Sequence, residues 1–377
     1  TANGDTIAVS STTGTTYDAG AGNDAFTGSV ADLVATGAND NKIDGGAGTD
    51  SITLDDTTTT LTDNHFTFVS NMETLALTNT SGDLSITTGA GFNSTFTDGV
   101  TITTGTMAAT KDVALSGGLS TVDITLTVDA TSITGASTDV QAITTGSGVD
   151  TVTFTGDATY VGVSTAGAQG TISISTGAGD DTISVTVGTL IADSSTVSGQ
   201  AITITGGTGK DTITKVGVNS DVALGVAHFA VSAGHSTAAS YDEITGFDEA
   251  TASTFSDGLD FSGTAAIGTL TSTDYGVIAS HSITAGVALF DDASSYSTEL
   301  IISAANIDDV LGYLAANTST NDVIAFAYDD NANGSNDSTM VYHNGTTDSL
   351  VLLTDVTGAD ALITTNASAG TGDIFIA

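Results

Sequence analysis

The 377-residue chain has no cysteine, no proline, no tryptophan and no arginine. Without cysteine there is no disulfide, no thiolate chemistry and no Cys-ligated zinc. Without proline no strand ladder is interrupted by a residue unable to donate. Basic residues are limited to Lys42, Lys111, Lys210 and Lys215 against 44 acids, a formal net charge of −40. Nothing in such a chain could neutralise phosphates, so nucleic acid is excluded as a partner. No apolar run approaches the length needed to cross a bilayer, and no transmembrane segment is expected. The chain begins at Thr1 with neither an initiator methionine nor a signal-like segment, which reads as a fragment or a processed form.

What is present is apolar as well as acidic. Hydrophobic residues make up 39% of the chain, too many for a disordered acidic tail. A folded body at −40 has to offset its self-repulsion with bound cations or high salt. The acids are skewed: only Glu73, Glu243, Glu249 and Glu299 are glutamates and the rest are aspartates. A short carboxylate suits a turn that bonds its own backbone, or a hard cation held beside backbone carbonyls.

The aspartates recur in glycine-rich turns between short alternating β runs. In chain order these are AGAGNDAFT (19–27), TGANDNKID (36–44), GGAGTDSIT (45–53), TGAGFNSTF (88–96), TGSGVDTVT (145–153), TGAGDDTIS (176–184) and GGTGKDTIT (206–214). The pattern is G-G-x-G-x-D-x-U-x, with U apolar, the repeat of calcium-binding parallel β-solenoids. Residues 36–44 and 88–96 are degenerate, with Asn41 and Asn93 at the aspartate position. The tandem pair 36–44 and 45–53 predicts a short β-roll, with Asn39 and Asn41 in place of Gly and Asp in its first turn. Asp150, Asp181 and Asp211 are 31 and 30 apart, which predicts a wider coil of about thirty residues stacking these turns along one edge. Glycines let such a turn aim successive carbonyls at a cation, and the aspartate adds charge to a shell of roughly six to eight oxygens.

Near residue 240 the character changes. YDEITGFDEATASTFSDGLDFSG (241–263) is acidic, SAANIDDVLGYLAAN (303–317) has helical spacing with Ser303 as a plausible N-cap, and 322–356 reads as three antiparallel strands. The fold class expected is all-β: a calcium-binding parallel β-solenoid over 1–235, then a β-rich C-terminal domain with one short helix over 236–377. The candidate cation ligands extend beyond the good turns to Asn41 and Asp44 in the degenerate turn and Asp257 and Asp260 in the acidic segment. Asp329, Asn331 and Asn333 join them, in a loop whose D-x-N-x-N-G start matches half of a helix–loop–helix calcium site but whose twelfth position is Met340.

Enzymatic constellations are missing. There is no H-E-x-x-H, no G-x-S-x-G and no phosphate-binding G-K-[ST] loop. His228 and His235 lie in an apolar stretch and read as structural, and paired aspartates carry no weight in a chain so rich in them. The protein is not expected to be an enzyme.

The nonapeptides resemble those of RTX (repeats-in-toxin) proteins that Gram-negative bacteria export by type I secretion. DEITGFDEATASTFSDGLDFSG is similar to the segment that follows RTX arrays, DNHFTFVSNMETLALTN (63–79) to a strand recurring in RTX surface-layer proteins, and the final GTGDIFIA to an uncleaved export signal. The resemblance implies an extracellular protein that folds on meeting calcium outside the cell and joins a two-dimensional S-layer lattice on the cell surface. Its partners would be further copies of itself, an N-terminal domain of the same protein that anchors it, and the type I secretion machinery. Carried over residue by residue, the ion-binding positions are Gly20, Gly22 and Asp24; Gly46, Gly48 and Asp50; Gly146, Gly148 and Asp150; Gly177, Gly179 and Asp181; and Gly207, Gly209 and Asp211. Most turns are isolated rather than in dense arrays, which favours a surface-layer protein over a toxin or protease. A secreted adhesin or biofilm-matrix module, or the RTX carrier of a hydrolase, remain the alternatives.

Overall fold

The structure is a computed structural model. It describes all residues except 1–2, 11–13, 34–40, 58, 79–80, 109–110, 132–139, 157–170, 188–201, 218–226, 232–239, 250–255, 262–264 and 365–372. The chain is almost entirely β, and it divides into two compact units, Thr1–Gly188 and Thr189–Ala377.

In the first unit, strands Thr6–Ala8, Ala25–Gly28, Ser51–Leu54, Thr74–Leu77, Val100–Thr104, Ile124–Ala130, Thr151–Gly156 and Thr182–Thr186 are stacked in parallel, each one coil after the last. A second parallel sheet runs Thr59–Leu61, Leu84–Thr87, Val113–Ser120, Val140–Gly146 and Thr171–Ala178. This is the parallel β-solenoid that the repeats predict. The register puts one kind of side chain on top of itself: Phe26, Ile52, Leu75, Ile102, Leu126, Val152 and Ile183 form an inward column, each almost fully buried. Burying each such side chain stabilises by roughly 1.5–3 kcal/mol, and the stack makes the burial continuous where no single coil could enclose a core. One position along, Thr53, Ala76, Thr103, Thr127, Thr153 and Ser184 face outward, a ladder mainly of threonine as expected of a half-solvated sheet.

The short β-roll expected at 36–53 does not form. Residues 36–40, with Asn39, lie outside the described residues, and the turn that stacks on 45–53 is 19–27, one wide coil upstream. The amide of Ala47 donates to Gly20 O (2.8 Å) and that of Gly22 to Ala47 O (2.9 Å). Strand Lys42–Asp44 pairs instead with Thr16–Asp18 and Val69–Ser70 on a third, three-stranded face. A nine-residue repeat cannot cross that extra face, so the tandem spacing is a coincidence of two different corners. The degenerate turn at 88–96 is a correction too: it contains a short helix, Ala90–Thr95. The Asp63 carboxylate accepts the amides of Gly91 (3.1 Å) and Phe92 (2.9 Å), while Phe66, Phe92 and Phe96 pack as an aromatic cluster beneath it.

The second unit has parallel coiling of its own, through Ile202–Thr208, Ala227–Val231 and Gly258–Phe261, and through Thr212–Val216 and Asp242–Thr245. Strands Asp322–Tyr328, Ser338–His343 and Ser349–Thr354 are antiparallel, as expected. Helix Ile307–Asn317 presents Val310, Leu311 and Leu314 to their core. It begins after Ser303, at Asn306: the Ser303 backbone bridges to Asp329, and the Asn306 carboxamide accepts the Ser303 amide (2.8 Å). The terminal strand Asp373–Ile376 is buried against Gly258–Phe261.

Candidate metal site

The solenoid turns bring their aspartates inward. Asp24, Asp50, Asp150, Asp181 and Asp211 are all essentially buried, at 0–1% exposure. Each belongs to a ladder that couples neighbouring coils. Asp24 Oδ1 accepts the amide of Asp5 (2.6 Å), Asp50 Oδ1 that of Asp24 (2.7 Å), Asp150 Oδ1 that of Ile124 (2.7 Å) and Asp181 Oδ1 that of Asp150 (2.7 Å). A carboxylate of one coil thus caps the equivalent amide of the coil before it.

Two members of this ladder are missing from the motif. Glu73 Oε2 accepts the Asp50 amide (2.6 Å), and Asp242 Oδ1 accepts the Asp211 amide (3.1 Å). Neither has flanking glycines. Coil spacing alone points to Asp242, which lies 31 residues after Asp211.

The glycines are fixed by the stacking. All ten carried-over glycines except Gly148 have φ in the left-handed region. At Gly46 and Gly48 (φ 96° and 149°) a Cβ would strike the carbonyls of Gly20 and Gly22 on the coil below. Gly45 makes room for the aspartate itself: a Cβ there would sit 2.7 Å from Asp50 Oδ2.

That second oxygen is the feature a cation would use. Asp24 and Asp50 each keep Oδ2 buried with no hydrogen-bond partner. A desolvated, half-satisfied carboxylate is costly. At Asp150 burial pushes the carboxyl up to about 6, opposed by hydrogen bonds from the Thr145 hydroxyl and the Ile124 amide, with the nearby charge of Asp181 adding to it; burial raises Asp181 as well. The donors are hard oxygens, which suits calcium. Against this, no group of three or more His, Asp or Glu side chains gathers among the described residues. Each turn contributes one carboxylate, so a cation there has to draw on backbone carbonyls.

The other candidates are placed differently. Asn41 is bonded throughout, accepting from the Thr15 amide (3.1 Å) and donating to Ser10 O (3.0 Å) and Asp32 O (3.1 Å). Asp44 Oδ1 accepts the Asn71 amide group (2.6 Å). Asp257 is buried with Lys215 Nζ 2.6 Å from Oδ2, and Asp260 pairs in register with Asp373, burial and that neighbour raising its carboxyl. In the 329–337 loop Asp329 caps the amides of Asn333 (3.0 Å) and Gly334 (2.8 Å), and the carboxamides of Asn331 and Asn333 both donate to Asp337 Oδ2. This loop joins antiparallel strands as a self-bonded hairpin. His228 is buried 3.3 Å from Asp373 Oδ2, and His235 lies outside the described residues. No helix among the described residues is long and apolar enough to cross a membrane.

Comparisons of the chain with family models, with characterised proteins and with solved structures return no match.

Proposed function

We propose that this chain is a non-enzymatic, calcium-dependent structural protein of the RTX type, exported to the cell surface, where copies assemble into a two-dimensional S-layer lattice. One observation carries the calcium part. The repeat places a buried carboxylate in each good turn, and at Asp24 and Asp50 one oxygen is left without a donor. Calcium would supply positive charge and accept those lone pairs. Asp24, Asp50 and Asp150 would hold it, with Asp181 and Asp211 at the corresponding turns and carbonyls of the stacked glycines completing the shell. The chain's own residues do the rest: the Oδ1 ladder fixes each carboxylate in orientation, and the glycines keep the coils close enough to share it.

The lattice part rests on the resemblance and on charge. At −40 with four cationic side chains, copies repel one another unless divalent ions lie between them. An anchoring N-terminal domain of the same protein and the type I machinery complete this reading. Calcium titration followed by circular dichroism and electron microscopy tests both parts. Ordered sheets only with calcium are expected. Monomers that fold with calcium and never assemble would remove the lattice and leave a carrier or adhesin module, and folding indifferent to chelator would remove calcium itself.

A further inference from the structure

The second unit holds a buried charge cluster that the cation reading leaves unused. Lys215 has a side chain 1% exposed, and its Nζ lies 2.6 Å from Asp257 Oδ2 and 2.6 Å from Asp248 Oδ2. The Asp257 side chain is fully buried, whereas Asp248 is 31% exposed. The flanking positions Ile213, Phe247 and Leu259 are buried and apolar. Lys215 and Asp257 are 42 residues apart in sequence; Lys215 lies on strand Thr212–Val216, and Asp257 immediately precedes strand Gly258–Phe261, which belongs to the other sheet.

Two desolvated charges and a third partly exposed make an expensive way to join two segments, since replacing such a group by apolar residues is often neutral or stabilising. The two aspartates are also not equivalent. Both oxygens of Asp257 receive backbone donors, the Ala227 amide on Oδ1 (2.8 Å) and the Asp248 amide on Oδ2 (2.9 Å). Those N–H groups polarise the carboxyl and are in place to hold negative charge on oxygen. Asp248, reaching solvent, has a route by which to exchange protons and let water out.

We propose that Lys215 and Asp257 condense to an intramolecular isopeptide bond, with Asp248 as the proton carrier. The Lys215 ammonium gives a proton to the Asp248 carboxylate, and the freed amine attacks Asp257 Cγ. The tetrahedral adduct keeps its charged oxygen on the Ala227 amide. Asp248 gives the proton from Lys215 to the hydroxyl of the Asp257 acid, the C–O bond breaks and one water leaves. The protonated nitrogen passes its remaining extra proton back to Asp248 as the Nζ–Cγ amide forms. Ammonium plus carboxylic acid becomes amide, water and one proton, which the Asp248 carboxylate takes up and passes to solvent, so no oxidant or co-reactant is needed. Burial pushes the Asp257 carboxyl up to about 6 even beside the lysine, which brings within reach the neutral acid that this condensation consumes. The product is a covalent clamp across the coil, formed without cysteine in a chain that has none.

The test is the intact mass of the full chain, folded in calcium and separately in chelator, with circular dichroism reporting which sample is folded. The folded protein is expected to weigh one water less than its sequence, and digestion in denaturant should yield a branched peptide joining Lys215 to Asp257. Asp248→Asn should slow appearance of that species by on the order of 100-fold. Folded wild-type protein at full sequence mass overturns the proposal. So does a water loss that persists in Lys215→Arg, because Asp257–Gly258 could lose water alone as a cyclic imide. Should Lys215→Arg fail to fold, the wild-type mass and its branched peptide decide by themselves.

Discussion

Under the calcium proposal, each repeat aspartate would divide two jobs between its two oxygens. Asp50 Oδ1 accepts the Asp24 amide, and Oδ2 has no donor. Substitutions separate the two. Asp50→Asn keeps an acceptor for the amide and removes the charge, so urea-derived stability should depend less steeply on calcium concentration. Asp50→Ala should share that flatter slope and lie lower by about 1–3 kcal/mol at every calcium concentration, because the Asp24 amide is then buried unpaired. A wild-type slope in Asp50→Asn would remove Asp50 from the ligand set. Asp150 gives the pH counterpart. Its folded value, about 6, lies above the ordinary 3.8, so in chelator its ionisation costs stability above pH 6 and that cost is relieved as pH falls towards 4. The gain that calcium confers should therefore shrink as pH falls from about 7 to about 5, each tenfold displacement of the proton equilibrium being worth about 1.4 kcal/mol. Asp150→Asn should flatten that dependence in a urea series across pH.

Turns and coils were legible in unequal measure. The glycine–aspartate spacing marks the corners because only glycine tolerates both the left-handed φ and the carbonyl of the coil below. Gly46→Ala is expected to cost at least about 2 kcal/mol by chemical denaturation, since strain and collision add. Gly358→Ala, with φ 71° and nothing within 4 Å of an added Cβ, should cost only about 1 kcal/mol. Equal losses would mean that the coils can separate to admit a methyl group. The aspartate spacing of about thirty residues correctly predicts the wide coil, and the alternating Ile and Val positions its inward columns. The tandem nonapeptide at 36–53 misleads, because a nine-residue period cannot show that a third face intervenes. The helix at 90–95 hides in a glycine-rich motif because its cause, the Asp63 carboxylate, comes from the previous coil. Glu73 and Asp242 escape notice for a similar reason: their partners are amides a whole coil away, and no local glycine marks them. What no pattern could reveal is that Asp257 meets an ammonium rather than a cation site, since Lys215 is 42 residues distant.

The chain's charge sets the last question, whether calcium acts by binding or by screening. Lys111 pairs with Asp83, Lys210 with Glu243, and Lys215 with Asp248 and Asp257. Only Lys42 shows no acidic partner within ion-pair distance among the described residues, and the net −40, which already counts all four lysines, has no cationic side chain to balance it. Any salt weakens such repulsion, with a Debye length of about 8 Å at physiological ionic strength. Screening depends on ionic strength and is nearly blind to which salt supplies it, whereas the proposed sites at the half-satisfied carboxylates would select a small divalent ion with oxygen affinity. Sodium chloride at matched ionic strength should therefore compact the chain only partly. Calcium should complete folding in the millimolar range or below, with magnesium falling short because it gives up its water reluctantly. Circular dichroism and hydrodynamic radius in the three salts measure this directly. Identical curves at equal ionic strength would assign folding to charge screening alone and leave the buried aspartates as interstrand caps.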